Sequence, residues 1–268
     1  MMMRLARLRA TPHVVAAAAF GATACSFAAA SLSDSSRSAG GNNSVIAEAD
    51  ACFDLNEYER LHSMLTAALV SSPEDAELNW RLTRACKKLA DGKVKKEQEG
   101  LLREGLSAAE RSLQTDGTRC GSCHKWYAIV LSGVGEFDGT SASIKNSFVV
   151  KEHFERACAL SPADATARHL LGLWCYEVSN LSWTMRKLAA TLFAAPPTSS
   201  FEEAVAHFEA AERLEPGFYP KNLLLLAQAN AKLGRAAEAK AWLAKCLTAR
   251  AKTPEDEETL KLAQALKL

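Results

Sequence analysis

Small and large apolar residues return along this chain at one spacing. A small or apolar residue is followed four positions on by a large apolar one, then three further on by a small one, and a proline closes the stretch. The two clearest copies are Val150, Phe154, Ala157, Pro162 and Ala204, Phe208, Ala211, Pro216, inside the echoing segments HFERACALSP and HFEAAERLEP. An earlier copy reads Leu61, Leu65, Ala68, Pro73, and copies without the proline fall at Leu102, Leu106, Ala109 and at Ala239, Leu243, Cys246. Steps of four and three place these residues on one helical stripe. The small residue lets a partner helix approach, and the proline stops the helix soon afterwards. The pattern therefore predicts pairs of antiparallel helices.

This is the spacing of the second helix of a tetratricopeptide repeat. It predicts an all-α solenoid of about five hairpins plus a C-terminal capping helix, over residues 45–268. The hairpins pair residues 45–51 with 58–71, 75–90 with 95–113, 124–137 with 142–160, the helix carrying Leu171, Gly172 and Cys175 with the one carrying Ala204, and 219–233 with 236–249. Residues 254–268 form the cap, with a charged outer face. Two connections are oversized. In the third hairpin Val150 stands where residue 142 is expected, and in the fourth Ala204 stands where residue 184 is expected. Both excesses are expected at the turns between paired helices, where solenoids accept insertions. The larger one, residues 180–199, reads as a short helix over 182–193 closed by Pro196 and Pro197.

The first thirty residues differ from the rest. Arg4, Arg7 and Arg9 precede the first acidic residue, Asp34, and 14–30 is a weakly apolar, alanine-dominated run. A mitochondrial targeting presequence fits the arginine-rich, acid-free start; a membrane anchor and a secretory signal are the alternatives. Residues 31–44, rich in Ser, Gly and Asn, read as a disordered linker. A formal net charge of +1 supplies no global field for nucleic acid, and 48% apolar content is ample for a core. There are eight cysteines. Cys52, Cys86, Cys175 and Cys246 fall on apolar helical positions, which points to buried thiols in a reducing compartment rather than disulfide staples.

Long irregular motifs then carry a family likeness. KWYAI at 125–129, KEHF at 151–154, LWCY at 173–176, ATLF at 190–193, Pro196–Pro197, PGFY at 216–219 and KNLLLL at 221–226 resemble the regulator of microtubule dynamics family, most of all its mitochondria-associated first member. The resemblance implies a tetratricopeptide-like helical domain, association with microtubules and spindle poles, and a mitochondrial or cytoplasmic location. It also implies an alternative role, phospholipid binding or tethering at mitochondrial membrane contacts, as in a related member.

Candidate surfaces follow from the residues. Lys125, Trp126, Lys145, Asn146, Lys151, Arg168, Lys221 and Asn222 lie near helix starts in the third to fifth hairpins, where a concave groove could grip a carboxylate or phosphate. Trp126 also fits a core position, and Asn222 a helix cap. The insert combines Trp183, Met185, Leu188, Leu192 and Phe193 with Arg186 and Lys187. It reads as a lid burying Trp183 and Phe193, with a basic amphipathic surface as the alternative. Arg81, Arg84, Lys87, Lys88, Lys93, Lys95 and Lys96 form the densest basic patch, suited to the acidic tails of tubulin or to simple solvation. Cys120-Gly-Ser-Cys123-His124 spells the attachment motif for c-type haem, but it opens a repeat helix whose apolar face belongs to the stack, and no second axial ligand is set aside. No cofactor, metal or catalytic residue is expected: nucleophile elbow, P-loop and His-Glu-x-x-His patterns are all missing, so the chain reads as a non-enzymatic binding protein.

Overall fold

The computed structural model describes residues 39–114, 116–193 and 196–268. The expected targeting segment and most of the expected linker lie outside them. Twelve α-helices are described: α1 (Ala39–Asp54), α2 (Tyr58–Ser71), α3 (Ala76–Ala90), α4 (Lys95–Ser112), α5 (Gly121–Asp138), α6 (Thr140–Leu160), α7 (Ala165–Ser179), α8 (Trp183–Leu192), α9 (Phe201–Leu214), α10 (Pro220–Lys232), α11 (Ala236–Leu247) and α12 (Pro254–Ala265). No strand occurs among the described residues. None of these helices is long and apolar enough to cross a membrane.

Local sequence sets the helix starts. Asp75 and Asp164 each follow a Ser-Pro-x step and accept from a backbone N–H three residues on, at 3.0 and 2.9 Å. Ser200 with Glu203 and Thr253 with Asp256 build reciprocal capping boxes on α9 and α12. Turns are short. Gly139 alone joins α5 to α6, at a φ of 91° that a side chain would strain.

The helices pair as expected: α1 with α2, α3 with α4, α5 with α6, α7 with α9, and α10 with α11, with α12 on the last pair. First helices also touch along the stack, α1 to α3, α3 to α5 and α7 to α10, and so form an inner layer. The predicted stripe is what the pairs bury. Val150, Phe154 and Ala157, and likewise Ala204, Phe208 and Ala211, are all at most 3% exposed. Cys52, Cys86, Cys175 and Cys246 are buried free thiols.

The two excess lengths behave differently. The stretch between α7 and α9 does leave the helical pair, and it carries α8. The eight extra residues of the third hairpin do not form a turn; they lengthen the helices to 18 and 21 residues, because Gly139 closes the connection at once. At the other end, α1 begins at Ala39, within the stretch read as linker.

A close helix–helix contact lies in the fourth pair. A Cβ added to Gly172 on α7 would lie 2.8 Å from the Phe208 ring on α9. Gly172→Val should therefore destabilise the chain by about 1–3 kcal/mol through forced repacking, read as a lower urea midpoint with an unchanged slope.

Candidate functional site

Several of the charged residues singled out along the sequence, Arg81, Arg84, Lys125 and Lys221, turn out to link neighbouring parts of the stack. On α3, the Arg81 guanidinium reaches both oxygens of Asp50 on α1, at 3.0 and 2.7 Å, and Glu77 at 2.6 Å. Arg84 donates to the same Asp50 at 2.8 Å and lies 3.7 Å above the Phe53 ring. Lys87 is 4% exposed and paired with Asp91. Much of the expected basic patch is thus turned into the seam between the first two hairpins. The reason is geometric: residues 81 and 84 share the face of α3 that packs on α1. Of the seven, only Lys93, Lys95 and Lys96, at the α3–α4 corner, are exposed.

The groove candidates disperse in the same way. Trp126 is 6% exposed and belongs to the central core. Lys125 pairs with Asp164, the residue that caps α7. Lys145, Asn146 and Lys151 lie on α6, a second helix, and so sit outside the inner layer. Lys145 is exposed, Asn146 rests against the backbone of α5 at Gly135, and Lys151 lies 5.1 Å from the Trp174 ring and pairs with Glu155. Arg168 on α7 is half-buried. Lys221 pairs with Glu255 of α12 at 3.0 Å.

Asn222, expected in a groove, is completely buried. Its amide nitrogen donates to the Phe208 carbonyl at 3.0 Å, and its oxygen stands 2.9 Å from Nδ1 of His169. A carbonyl oxygen only accepts, so the His169 proton lies on Nδ1. This bond joins α7, α9 and α10 inside the core and is structural. Sequence spacing could not pair residues 53 positions apart. A similar pair joins α5 to α6. His124 Nε2 faces the Thr118 carbonyl at 3.1 Å and therefore donates, so its Nδ1 accepts from His153 Nδ1 at 3.0 Å. With both ring nitrogens engaged, the histidine at 1% exposure and Cys123 at 0%, these residues do not fit a covalently attached haem.

His62, Cys86 and Glu104 bring three donor atoms within 4.8 Å of one another. His62 and Glu104 already bond at 2.7 Å, and burial pushes the Cys86 thiol up, keeping it protonated.

The inner surface is set by the superhelix. The α1–α2 turn, the end of α3 and the start of α12 come together around a cavity of about 640 Å³, lined by Tyr58, Glu59, Lys88, Asp91, Lys93 and Glu255. Burial lowers the Lys88 ammonium to about 8, with Asp91 and Glu255 opposing that shift in part. The cavity is mixed in charge and joins residues from opposite ends of the described chain.

The insert helix α8 is not the expected lid. It buries only Ala189, while Phe193 is half-buried, 5.3 Å from the Phe148 ring. Trp183 is 67% exposed, with the Lys187 ammonium 4.0 Å from its ring. Arg186 folds back to the Ser179 carbonyl at 2.6 Å, which ties α8 to the end of α7. The cleft beneath it, walled by Ile144, Val178 and Met185, holds only about 20 Å³.

Stacked antiparallel hairpins, closed by small-residue contacts and presenting an inner cavity, define a tetratricopeptide-like α-solenoid, a scaffold that displays surface. The crystal structure of a thermophilic TPR protein from Thermus thermophilus has a similar fold, with a TM-score of 0.57 and 18% identity, over 84% of this chain and 99% of that one. Residues 45–267 match the family Regulator of microtubule dynamics protein 1-3, and the chain belongs to that family. It is 43% identical over 216 residues to Regulator of microtubule dynamics protein 1 of Bos taurus, covering 80% of this chain and 67% of the relative. It is 39% identical over 184 residues to Regulator of microtubule dynamics protein 3 of Xenopus laevis, covering 68% of this chain and 40% of that relative.

The buried histidine makes stability depend on pH. Desolvation lowers His169 to about 3, against 6.5 for an exposed imidazole. Between those values the unfolded chain binds the proton and the folded one does not, so stability is full above pH 6.5 and falls as the solution is acidified. By about pH 4 the loss should be on the order of 2–3 kcal/mol from this residue. Urea melts at about pH 7, 5.5 and 4 check it: the decline should shrink in His169→Gln relative to the parent.

Proposed function

We propose that this chain is a non-enzymatic scaffold that binds microtubules and acts at mitochondria. The observation that carries the reading is the α3–α4 corner, where Lys93, Lys95 and Lys96 stand exposed beside the inner cavity. Tubulin tails are acidic and extended, and an exposed lysine corner draws such a chain by long-range attraction. The relatives are named for regulation of microtubule dynamics, which supports the same partner. The arginine-rich start at Arg4, Arg7 and Arg9 supports mitochondrial targeting by presequence or anchor.

Co-sedimentation with assembled microtubules tests the partner. The parent should pellet at low salt and be released as ionic strength rises. Lys93→Glu, Lys95→Glu and Lys96→Glu together should weaken pelleting about tenfold or more while the melting temperature stays put. Failure of the parent to pellet at low salt removes the microtubule reading. The N-terminal sequence of the protein recovered from cells tests targeting; a start near Ser31 or beyond marks a cleaved presequence.

A second reading is favoured by α8. Trp183, Leu188 and Leu192 are exposed on it beside Lys187, the arrangement of a helix that settles into a lipid interface. The 20 Å³ cleft is too small for an acyl chain, so phospholipid would be met at the surface. Flotation with anionic vesicles should then fall several-fold in Trp183→Ala, with microtubule pelleting unchanged.

A further inference from the structure

Where a side chain caps α3, α7, α8, α9 or α12, it does so through an aspartate, serine or threonine oxygen. At α5 the cap is a sulfur. Cys120 occupies the N-cap, and its Sγ accepts from the Cys123 N–H at 3.3 Å. Sulfur is a weak acceptor, and serine would cap better, so the cysteine is not explained by helix stability. Cys120 is also the one cysteine among the described residues that is not buried; its partner Cys123, one turn on, is completely buried.

We propose that Cys120 and Cys123 form a reversible dithiol site that exchanges with low-molecular-weight disulfides of the glutathione class. The arrangement supplies what that chemistry needs. An accessible sulfur stands over the first turn of a helix, where unpaired N–H groups favour a negative charge. A second sulfur waits beneath it, out of reach of solvent, and the backbone N–H of that residue donates to the outer sulfur at 3.3 Å. The neighbouring Cys123 holds the Cys120 thiol below its ordinary range, opposed by burial, while Cys120 and burial push the Cys123 thiol up. The outer cysteine is therefore the attacking group and the inner one the resolving group.

The exchange balances. The Cys120 thiolate forms a bond to one sulfur of glutathione disulfide, whose own S–S bond breaks, and one glutathione leaves and takes up a proton. Cys123 then gives up its proton as its sulfur attacks Cys120, the mixed disulfide breaks, and the second glutathione leaves and takes that proton. The pair loses two electrons and closes an intrachain disulfide, while the glutathione disulfide is reduced to two thiols.

The surroundings give the exchange a structural consequence. Cys123 Sγ lies 3.8 Å from the Ala76 carbonyl and Cys120 Sγ 3.8 Å from Glu77, both in the first turn of α3. Glu77 is also a partner of Arg81. Oxidation removes the S–H donors that both sulfurs offer that turn, and so acts on the seam between the second and third hairpins. The glycine between the cysteines has a separate cause: a Cβ at Gly121 would lie 2.2 Å from the Ser161 hydroxyl at the α6–α7 corner.

The test equilibrates the full chain in glutathione buffers from fully reduced to fully oxidised, followed by alkylation, digestion and mass spectrometry. The peptide containing residues 120–123 should lose two hydrogens as the disulfide fraction rises, ahead of modification at any other cysteine. Cys123→Ala should instead accumulate a glutathione adduct on Cys120. Cys120→Ser keeps an oxygen cap and the fold, as its melting temperature checks, and should leave Cys123 unmodified. A 120–123 peptide that stays reduced across the series overturns the proposal, as does an equal adduct on Cys120 in the parent and in Cys123→Ala. Should Cys123→Ala not fold, the parent and Cys120→Ser decide between these outcomes.

Discussion

Two helices approach closely only where one of them offers almost no side chain, and this constraint shapes the whole chain. On α6 and α9 the place is marked by Ala157 and Ala211, both essentially unexposed, with Phe154 and Phe208 one turn earlier filling the space alongside. On α7 it is Gly172, whose missing Cβ is the room the Phe208 ring occupies. Burying a phenylalanine of this kind contributes roughly 2–3 kcal/mol, more than any exposed ion pair in the molecule. The pairing of α7 with α9 across a long interruption follows from that contact: the chain detours through α8 and returns to the same packing site.

Polar residues take a second, narrower role. A solenoid buries the ends and one face of every inner helix, so its polar groups must find partners across a seam. Asp50 serves two arginines of α3, Asp164 serves both the start of α7 and Lys125, and Asn222 joins His169 to the Phe208 carbonyl. Each of these links joins neighbouring hairpins. The surface left free for partners is what they do not consume: the lysine corner at the α3–α4 turn, the inner cavity under α12, and the outward side of α8.

That division explains why some of the site was legible in the chain and some was not. The exposed lysines 93, 95 and 96 could be recognised because they stand at a Gly-containing turn that no helix covers. Arg81, Arg84 and Lys87 belong to the same run of charge, but they fall on a helix whose other side meets α1, and charge alone does not say which side that is. Trp183 misled in the opposite direction. Large aromatics are usually buried, and only the structure shows that α8 packs through Ala189 and leaves Trp183 exposed.

By itself the sequence determined the number of hairpins, their helical stripes, their stops and the place of the interruption. All of these depend on contacts a few residues apart and on the fixed period of the helix. Tertiary structure alone decided which polar residues face one another, how the superhelix brings the α1–α2 turn to the start of α12, and how the third hairpin absorbs its extra length. Those outcomes depend on partners far away along the chain, and no local spacing encodes the rotation that accumulates from one hairpin to the next.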